Sequence, residues 1–281
     1  MAYRDYLDRT RAVARLLSSS GPERNIPKKW LLTTSSKLDK EFAASNQYSI
    51  NEVDGVLRIQ VGDEVFLWPA GVSLDRGLAT LSEILNPKHP HQYVFGPTQI
   101  APGDVVLDIG ACEGSFAALV SGRCRRVIAV EPSRQMCQLM CSLFEMRNQP
   151  CPLIIDCFLG SEPSKAYFLE DRSNPGASRM SFEPIQGSYE VPVRTLDEVV
   201  ETLHEKPTFI KCDAEGAATM IIAGGRNFLR KFRPKLAIAS YHTSTEYRDL
   251  FNALKELGYN LLGKGFFYTS GELRAQMIHA W

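Results

Sequence analysis

Hydrophobic and polar positions change rhythm near Pro97. Before it, Tyr3, Tyr6, Leu7, Val13, Ala14, Leu16 and Leu17 recur at helical spacing and predict a short amphipathic helix over Tyr3–Leu17. Ser18-Ser19-Ser20-Gly21-Pro22 ends it with loop chemistry. Tyr48–Val53, Val56–Val61 and Glu64–Trp68 are strand-like runs separated by Asp54-Gly55 and Gly62-Asp63, two-residue turns that suit tight hairpins. They predict a three-stranded meander, a unit that must pack on something larger. Leu74–Leu85 has helical spacing, and Asn86-Pro87-Lys88-His89-Pro90 breaks the chain.

From Pro97 onward short apolar runs alternate with helical patterns. Val105–Ile109, Arg126–Val130, Pro152–Ile155, Thr208–Cys212 and Lys235–Ala239 read as strands. Gly114–Ser121, Ser133–Arg147, Gly216–Phe232 and Ser244–Leu257 read as helices, with an irregular stretch ahead of Thr208. Tyr259–Leu262 and Ala275–Trp281 close the series. The alternation predicts an α/β fold with a doubly wound, mostly parallel sheet and helices on both faces. In such sheets ligands sit at the carboxyl ends of the strands, so the chemistry is expected just after each one.

Composition narrows the partners. Thirty-two basic and thirty-two acidic side chains cancel, which argues against holding nucleic acid by bulk charge. The first thirty residues carry seven Lys/Arg against three Asp/Glu, a local excess that a solvated helix face accounts for. The longest apolar run, Phe116–Val120, is far short of the about 18 residues of a spanning helix, and no secretory core opens the chain. No membrane partner is expected, and the seven cysteines, without metal-ligand spacing, read as free thiols of a cytoplasmic protein. Oligomeric state is not encoded in these patterns.

The first strand of the alternation ends in Asp108-Ile109-Gly110-Ala111-Cys112-Glu113-Gly114. A dinucleotide fingerprint places a second glycine where Cys112 stands, so the backbone approach of a pyrophosphate is obstructed. An acid at the strand end repels a diphosphate and suits a ligand bearing an ammonium or hydroxyls. The next strand ends in Glu131-Pro132-Ser133, twenty-one residues past Gly110, an offset that fits a ribose diol. Together these favour an adenosyl ligand without phosphates, S-adenosylmethionine. Asp156, after the third strand, is either a partner for an adenine amino group or a surface acid.

Asp213-Ala214-Glu215-Gly216 follows the fourth strand. Its two carboxylates have three possible uses: orienting a hydroxyl, holding a divalent ion, or capping the helix. His242 follows the fifth strand next to Asp213 and is a candidate general base; the competing reading is a histidine satisfied by backbone. Tyr48, Trp68, Tyr93 and Phe95 serve equally as pocket walls or as core.

The blocks VVLDIGACEGSFA, VIAVEPS, VPVRTLDEV and FIKCDAEGA, followed by GGRNFLRKFRPKLAIASYH and ALKELGY, resemble the FkbM-type methyltransferases over Tyr93–Leu262. The resemblance implies a class I Rossmann-like fold with seven strands in the order 3-2-1-4-5-7-6 and the last antiparallel. It implies S-adenosylmethionine-dependent O-methylation of a small molecule such as a natural product or sugar. Asp108, Gly110, Ala111, Cys112 and Gly114 would form the methionine-side loop, and Glu131, Pro132 and Ser133 the ribose side. Asp213, Glu215 and His242 would be catalytic, with a metal-assisted version using the same three side chains as the alternative. Residues 96–281 would be the S-adenosylmethionine domain and 1–95 a cap on the acceptor pocket. Modification of protein or RNA through that N-terminal part is a further alternative. The family often carries Glu where this chain has Ala218, and Asn174–Arg179 resembles a segment that closes over the cofactor.

Overall fold

The computed structural model describes residues 10–16, 18, 20–31, 33–45, 47–171, 178–269 and 271–281. Successive apolar side chains make strands that are buried on both faces, and these strands form the centre of the molecule. β4 (Val105–Ile109), β5 (Arg126–Val130), β11 (Phe209–Cys212) and β12 (Lys235–Ala239) are almost wholly buried. They pair in parallel in the order β5-β4-β11-β12, and β6 (Leu153–Ile155) adds a parallel strand beside β5. β14 (Glu272–Ala280) joins β12 antiparallel and β13 (Leu261–Thr269) joins β14 antiparallel. The seven-stranded sheet therefore runs β13-β14-β12-β11-β4-β5-β6.

Each face of this sheet carries its own apolar layer. On one, Leu107, Ile128, Ile210 and Ile238 pack with Leu196, Ile221, Phe228 and Leu250 from the helices that follow in the chain. On the other, Val106, Ala129 and Ala237 pack with Phe116, Leu139, Leu143 and Phe144, and with Ile59, Phe66, Leu78 and Leu81 from the N-terminal part. The meander β1 (Tyr48–Val53), β2 (Val56–Val61) and β3 (Glu64–Pro69) is thus held against helices Ser115–Ser121 and Arg134–Met146. Arg147 fastens it, donating to the Val65 carbonyl at 3.0 Å and pairing with Glu64. Asp54 and Gly55 turn the first hairpin with φ of 51° and 74°, the left-handed pair that this turn requires.

Several sequence expectations change. Residues 10–16 are helical, whereas Tyr3, Tyr6, Leu7 and Leu17 lie outside the described residues. An unforeseen helix, Ser35–Ala44, packs beside Leu74–Leu85. The stretch read as irregular holds a four-stranded sheet, β7-β10-β8-β9, made of Phe158–Gly160, Tyr189–Thr195, Ser164–Leu169 and Arg179–Ser181. The closing strands are longer than expected and form one hairpin of nine residues a side. The helix expected over Gly216–Phe232 is two helices, Ala218–Gly224 and Arg226–Phe232. The break comes where the chain passes close to its neighbours: a Cβ on Gly225 would lie 2.5 Å from Leu196 Cδ2.

The thiols also require correction. Cys141 and Cys151 form a disulfide with Cα atoms 5.1 Å apart, joining helix Arg134–Met146 to the segment leading into β6. Cys112, Cys124, Cys137, Cys157 and Cys212 are free. Alkylation of the denatured, unreduced protein is therefore expected to label five of the seven cysteines and to spare Cys141 and Cys151 until a reductant is added. Peptide mapping by mass spectrometry checks this, and label on Cys141 without reduction would contradict it.

Candidate active site

The strand ladders continue for a residue or two past the carboxyl ends, and this aligns the loops. Gly110 N–H donates to the Val130 carbonyl at 3.0 Å, Glu131 N–H to Ile155 at 3.2 Å and Asp213 N–H to Ile109 at 3.1 Å. The segments 110–114, 131–133, 156 and 213–216 are thereby set side by side, with 241–243 following β12.

The turn after β4 passes through Gly110, Cys112 and Gly114 with φ of 70°, 48° and 83°. A Cβ on Gly110 would sit 2.0 Å from the Asp213 carbonyl oxygen, so the two loops touch backbone to backbone only because this residue is glycine. Ala111 is buried behind the turn and Cys112 is exposed on it. Asp108 is fully buried in β4, beside Lys211 of β11, with Lys211 Nζ 2.9 Å from its carboxylate. Lys211 also donates to the Gly110 carbonyl at 2.6 Å, so it ties strand end and turn together. Asp108 therefore acts on the turn from beneath, through Lys211. Burial raises the Asp108 pKa although Lys211 opposes this; Lys211 itself, despite burial, is held above its ordinary value by Asp108 and Asp213.

Glu131 is buried and accepts the Cys112 and Ser133 amide N–H groups, each at 2.8 Å. Burial lifts its pKa to about 7 against those two donors. Ser133 caps helix Arg134–Met146 by accepting from Met136 N–H and donates to Glu170, so its hydroxyl is engaged with protein. The Pro132 carbonyl accepts from the Tyr189 hydroxyl at 3.2 Å. Asp156 is exposed, as its place after β6 allows.

Asp213 is the centre of the site. Its Oδ2 accepts the Tyr93 hydroxyl at 2.6 Å and lies 3.7 Å from His91 Nε2. Its Oδ1 lies 3.2 Å from His242 Nε2, within ion-pair distance but without the alignment of a good hydrogen bond. The other nitrogen of His242, Nδ1, is 3.2 Å from Glu246, which also accepts the His242 backbone N–H at 2.9 Å. Glu215, at φ 47°, holds an exposed carboxylate 3.7 Å from His242 Nε2. A non-glycine residue in the left-handed region carries strain of about 1–2 kcal/mol, and such strain gathers at functional sites. Tyr241 stacks on the His242 ring at 4.5 Å.

The charges follow from these distances. Burial alone would raise Asp213, but His242, His91 and Lys211 hold it far below the usual carboxylate range. Burial alone would lower His242, but Asp213 and Glu246 push it up to about 10. The candidate general base is thus an imidazolium at neutral pH, because carboxylates lie beside both ring nitrogens. Among the described residues, no three His, Cys, Asp or Glu side chains are arranged to hold a metal ion.

Absent from the sequence-based candidates are Lys211, His91, Glu246 and Glu83, whose carboxylate lies 3.0 Å from His91 Nδ1. Lys211 had a signal, a lysine inside an apolar strand, and Glu246 stands four residues after His242. Of the four aromatic wall candidates, Tyr93 reaches Asp213. Tyr48 instead stacks on Phe42 and donates to the Ala43 carbonyl, and Phe95 packs edge-on to Trp30. Residues 174–177 of the segment expected to close over a cofactor lie outside the described residues.

The model of the methyltransferase FkbM domain matches residues 108–261. Among solved structures, the FkbM methyltransferase of Methylobacillus flagellatus KT matches with 22% identity and a TM-score of 0.50, over 75% of this chain and 56% of that one. This chain thus spans little more than half of that protein. The precorrin-6y C5,15-methyltransferase of Geobacter metallireducens GS-15 gives 16% identity and a TM-score of 0.42, over 65% and 81%. Aeropyrum pernix fibrillarin, solved with S-adenosyl-L-methionine, gives 14% and 0.42, over 83% and 98%. No curated protein matches.

Proposed function

Because this chain belongs to the FkbM methyltransferase family, we propose that it is an S-adenosylmethionine-dependent O-methyltransferase with a class I Rossmann-like core. Its acceptor is the hydroxyl of a small molecule, a natural product or a sugar. The residues present suit the adenosyl ligand on their own chemistry. Glu131 uses one lone pair on each oxygen for an amide and keeps others for a diol. Lys211, beside the turn, is already bound to Asp108 and the Gly110 carbonyl, which disfavours a diphosphate there. When bound, S-adenosylmethionine supplies a methyl group activated by its sulfonium charge.

The observation that carries the reading is the Asp213–His242 pair, half-buried at the strand ends and lacking an aligned hydrogen bond between Oδ1 and Nε2. An acceptor hydroxyl that reaches this pair finds a carboxylate to orient it and an imidazole to take its proton. Asp213 is too weak a base to do this alone, since its cationic neighbours stabilise the carboxylate. His242 serves as the base once it has shed its resting proton, and Glu246 holds its ring in place. Glu215 stands at the exposed side of the pair and helps place the acceptor. Alignment of acceptor oxygen, methyl carbon and sulfur supplies most of the remaining rate. Residues 96–281 form the S-adenosylmethionine unit, and 1–95 form the acceptor side.

The test is transfer of labelled methyl from S-adenosylmethionine into an extract of cells that make the chain, separated into metabolites, protein and nucleic acid, with and without a chelator. Label in the metabolite fraction as an alkali-stable methyl ether is expected. Label confined to protein or RNA overturns the small-molecule reading, and loss of label with chelator moves the mechanism to a metal-assisted one.

A further inference from the structure

The family match begins at residue 108, yet the carboxylate at the centre of the site is held from outside that segment. Helix Leu74–Leu85 contributes Glu83, and the turn that follows it contributes His91 and Tyr93. Glu83 lies 3.0 Å from His91 Nδ1, and His91 Nε2 lies 3.7 Å from Asp213 Oδ2, the oxygen that also accepts from Tyr93 at 2.6 Å. Asp213 thus stands between two carboxylate–histidine pairs, Glu83–His91 on one side and Glu246–His242 on the other. Only the second is part of the reaction proposed above.

We propose that Glu83, His91 and Tyr93 are positioning residues that fix the rotation and charge of Asp213 and thereby set the proton affinity of His242. The inference rests on the reading of Asp213–His242 as the acid–base pair. Tyr93, with its hydroxyl on Oδ2, stops the carboxylate from turning, which leaves Oδ1 for His242 and the acceptor. Glu83 keeps His91 charged in a buried setting, and a cation beside Oδ2 draws charge away from Oδ1. His242 consequently holds its proton less tightly than Asp213 and Glu246 alone would dictate, and its neutral form is reached at lower pH.

The groups that face this network are few. Asp213 sees Tyr93, His91, His242, Lys211, Asp108 and Tyr241; His242 sees Asp213, Glu215, Glu246, His91 and the stacked ring of Tyr241; His91 sees Glu83, Asp213, His242, Tyr93 and Tyr241. Arg274 donates to the His242 carbonyl at 2.8 Å and so touches its backbone. Burial opposes charge on His91, yet Glu83 and Asp213 raise its pKa.

The sign of the effect is fixed by this arrangement. Without the Glu83 charge, burial makes His91 neutral, Asp213 becomes the stronger partner, and His242 binds its proton more tightly. Titration of His91 and His242 by NMR in the ligand-free protein needs no methyl transfer and is the primary readout. In Glu83→Gln, the His91 midpoint falls below that of an ordinary histidine and the His242 proton affinity rises about tenfold, the scale of a unit charge several ångströms away in a protein. Tyr93→Phe, which removes a buried hydroxyl while keeping the ring, also raises the His242 affinity without neutralising His91. In both variants the kcat–pH limb moves to higher pH while the KM for S-adenosylmethionine stays within about twofold. Unchanged His242 titration in both variants overturns the proposal, as does a raised KM with an unmoved pH limb. Calorimetric binding of S-adenosylmethionine to the same proteins tests the methyltransferase reading separately, so either reading can fail while the other stands.

Discussion

Replacing His242 with glutamine is expected to lower kcat about 10²–10⁴-fold on the alkaline side of its titration, the usual contribution of a positioned base. It should also abolish the rise of rate with pH. The sign follows from the direction of the pKa shift. Asp213 and Glu246 push His242 up to about 10 against its burial, so at pH 7 only about one molecule in 10³ carries the neutral ring. Rate should therefore climb roughly tenfold per pH unit through neutrality and level off near the titration of His242. Any cation held in the same cleft lowers that proton affinity, so the break in kcat should fall below the break seen in ligand-free protein. Asp213→Asn makes the complementary case. Without the carboxylate the His242 pKa moves down towards its ordinary value, so the pH limb shifts to lower pH while the plateau rate falls. Single-turnover rates across the pH range, paired with calorimetric binding of S-adenosylmethionine, separate these effects. A glutamine variant that kept both the plateau rate and the pH slope would remove His242 from the chemistry.

How far this site is legible in the sequence depends on the kind of signal each residue carries. Asp108, Glu131, Asp156, Asp213 and His242 stand at successive strand ends, and the α/β rhythm alone assigns strand ends to the ligand edge. Their environments are another matter. The ion pair of Asp108 is not legible until its register opposite Lys211 is known, because pairing between strands a hundred residues apart leaves no local pattern. The charge on His242 likewise depends on distances to Asp213 and Glu246 that spacing does not supply. His91 and Tyr93 sit in a Pro-bounded turn with no period, and the Tyr93–Asp213 contact spans 120 residues. The second sheet escaped notice because β7 and β9 are three residues long, too short for a period of two to register. The Cys141–Cys151 bridge escaped because seven cysteines do not reveal their own connectivity.

Lys211→Met is expected to destabilise the protein by about 3–5 kcal/mol, the effect of leaving one member of a buried ion pair without its partner. Lys211 and Asp108 are both buried, 2.9 Å apart, on adjacent central strands. The lysine also holds the Ile109 and Gly110 carbonyls, so its loss frees the turn that carries Cys112 and touches the Asp213 backbone. The pH dependence identifies the cause. Without Lys211, burial raises Asp108 in the folded state with no cation to oppose it, while the unfolded chain keeps an ordinary aspartate. A group whose folded pKa lies above its unfolded one favours folding at low pH and loses that contribution as pH rises through the folded value. The deficit in Lys211→Met should therefore be small in acid and grow towards neutrality. Adding Asp108→Asn, which removes the buried charge, should recover part of it and flatten its pH dependence. Urea unfolding of the wild type, the single variant and the double variant at acidic and neutral pH measures all three. A deficit independent of pH would mean that packing around Lys211, and not its pairing with Asp108, is what holds the turn.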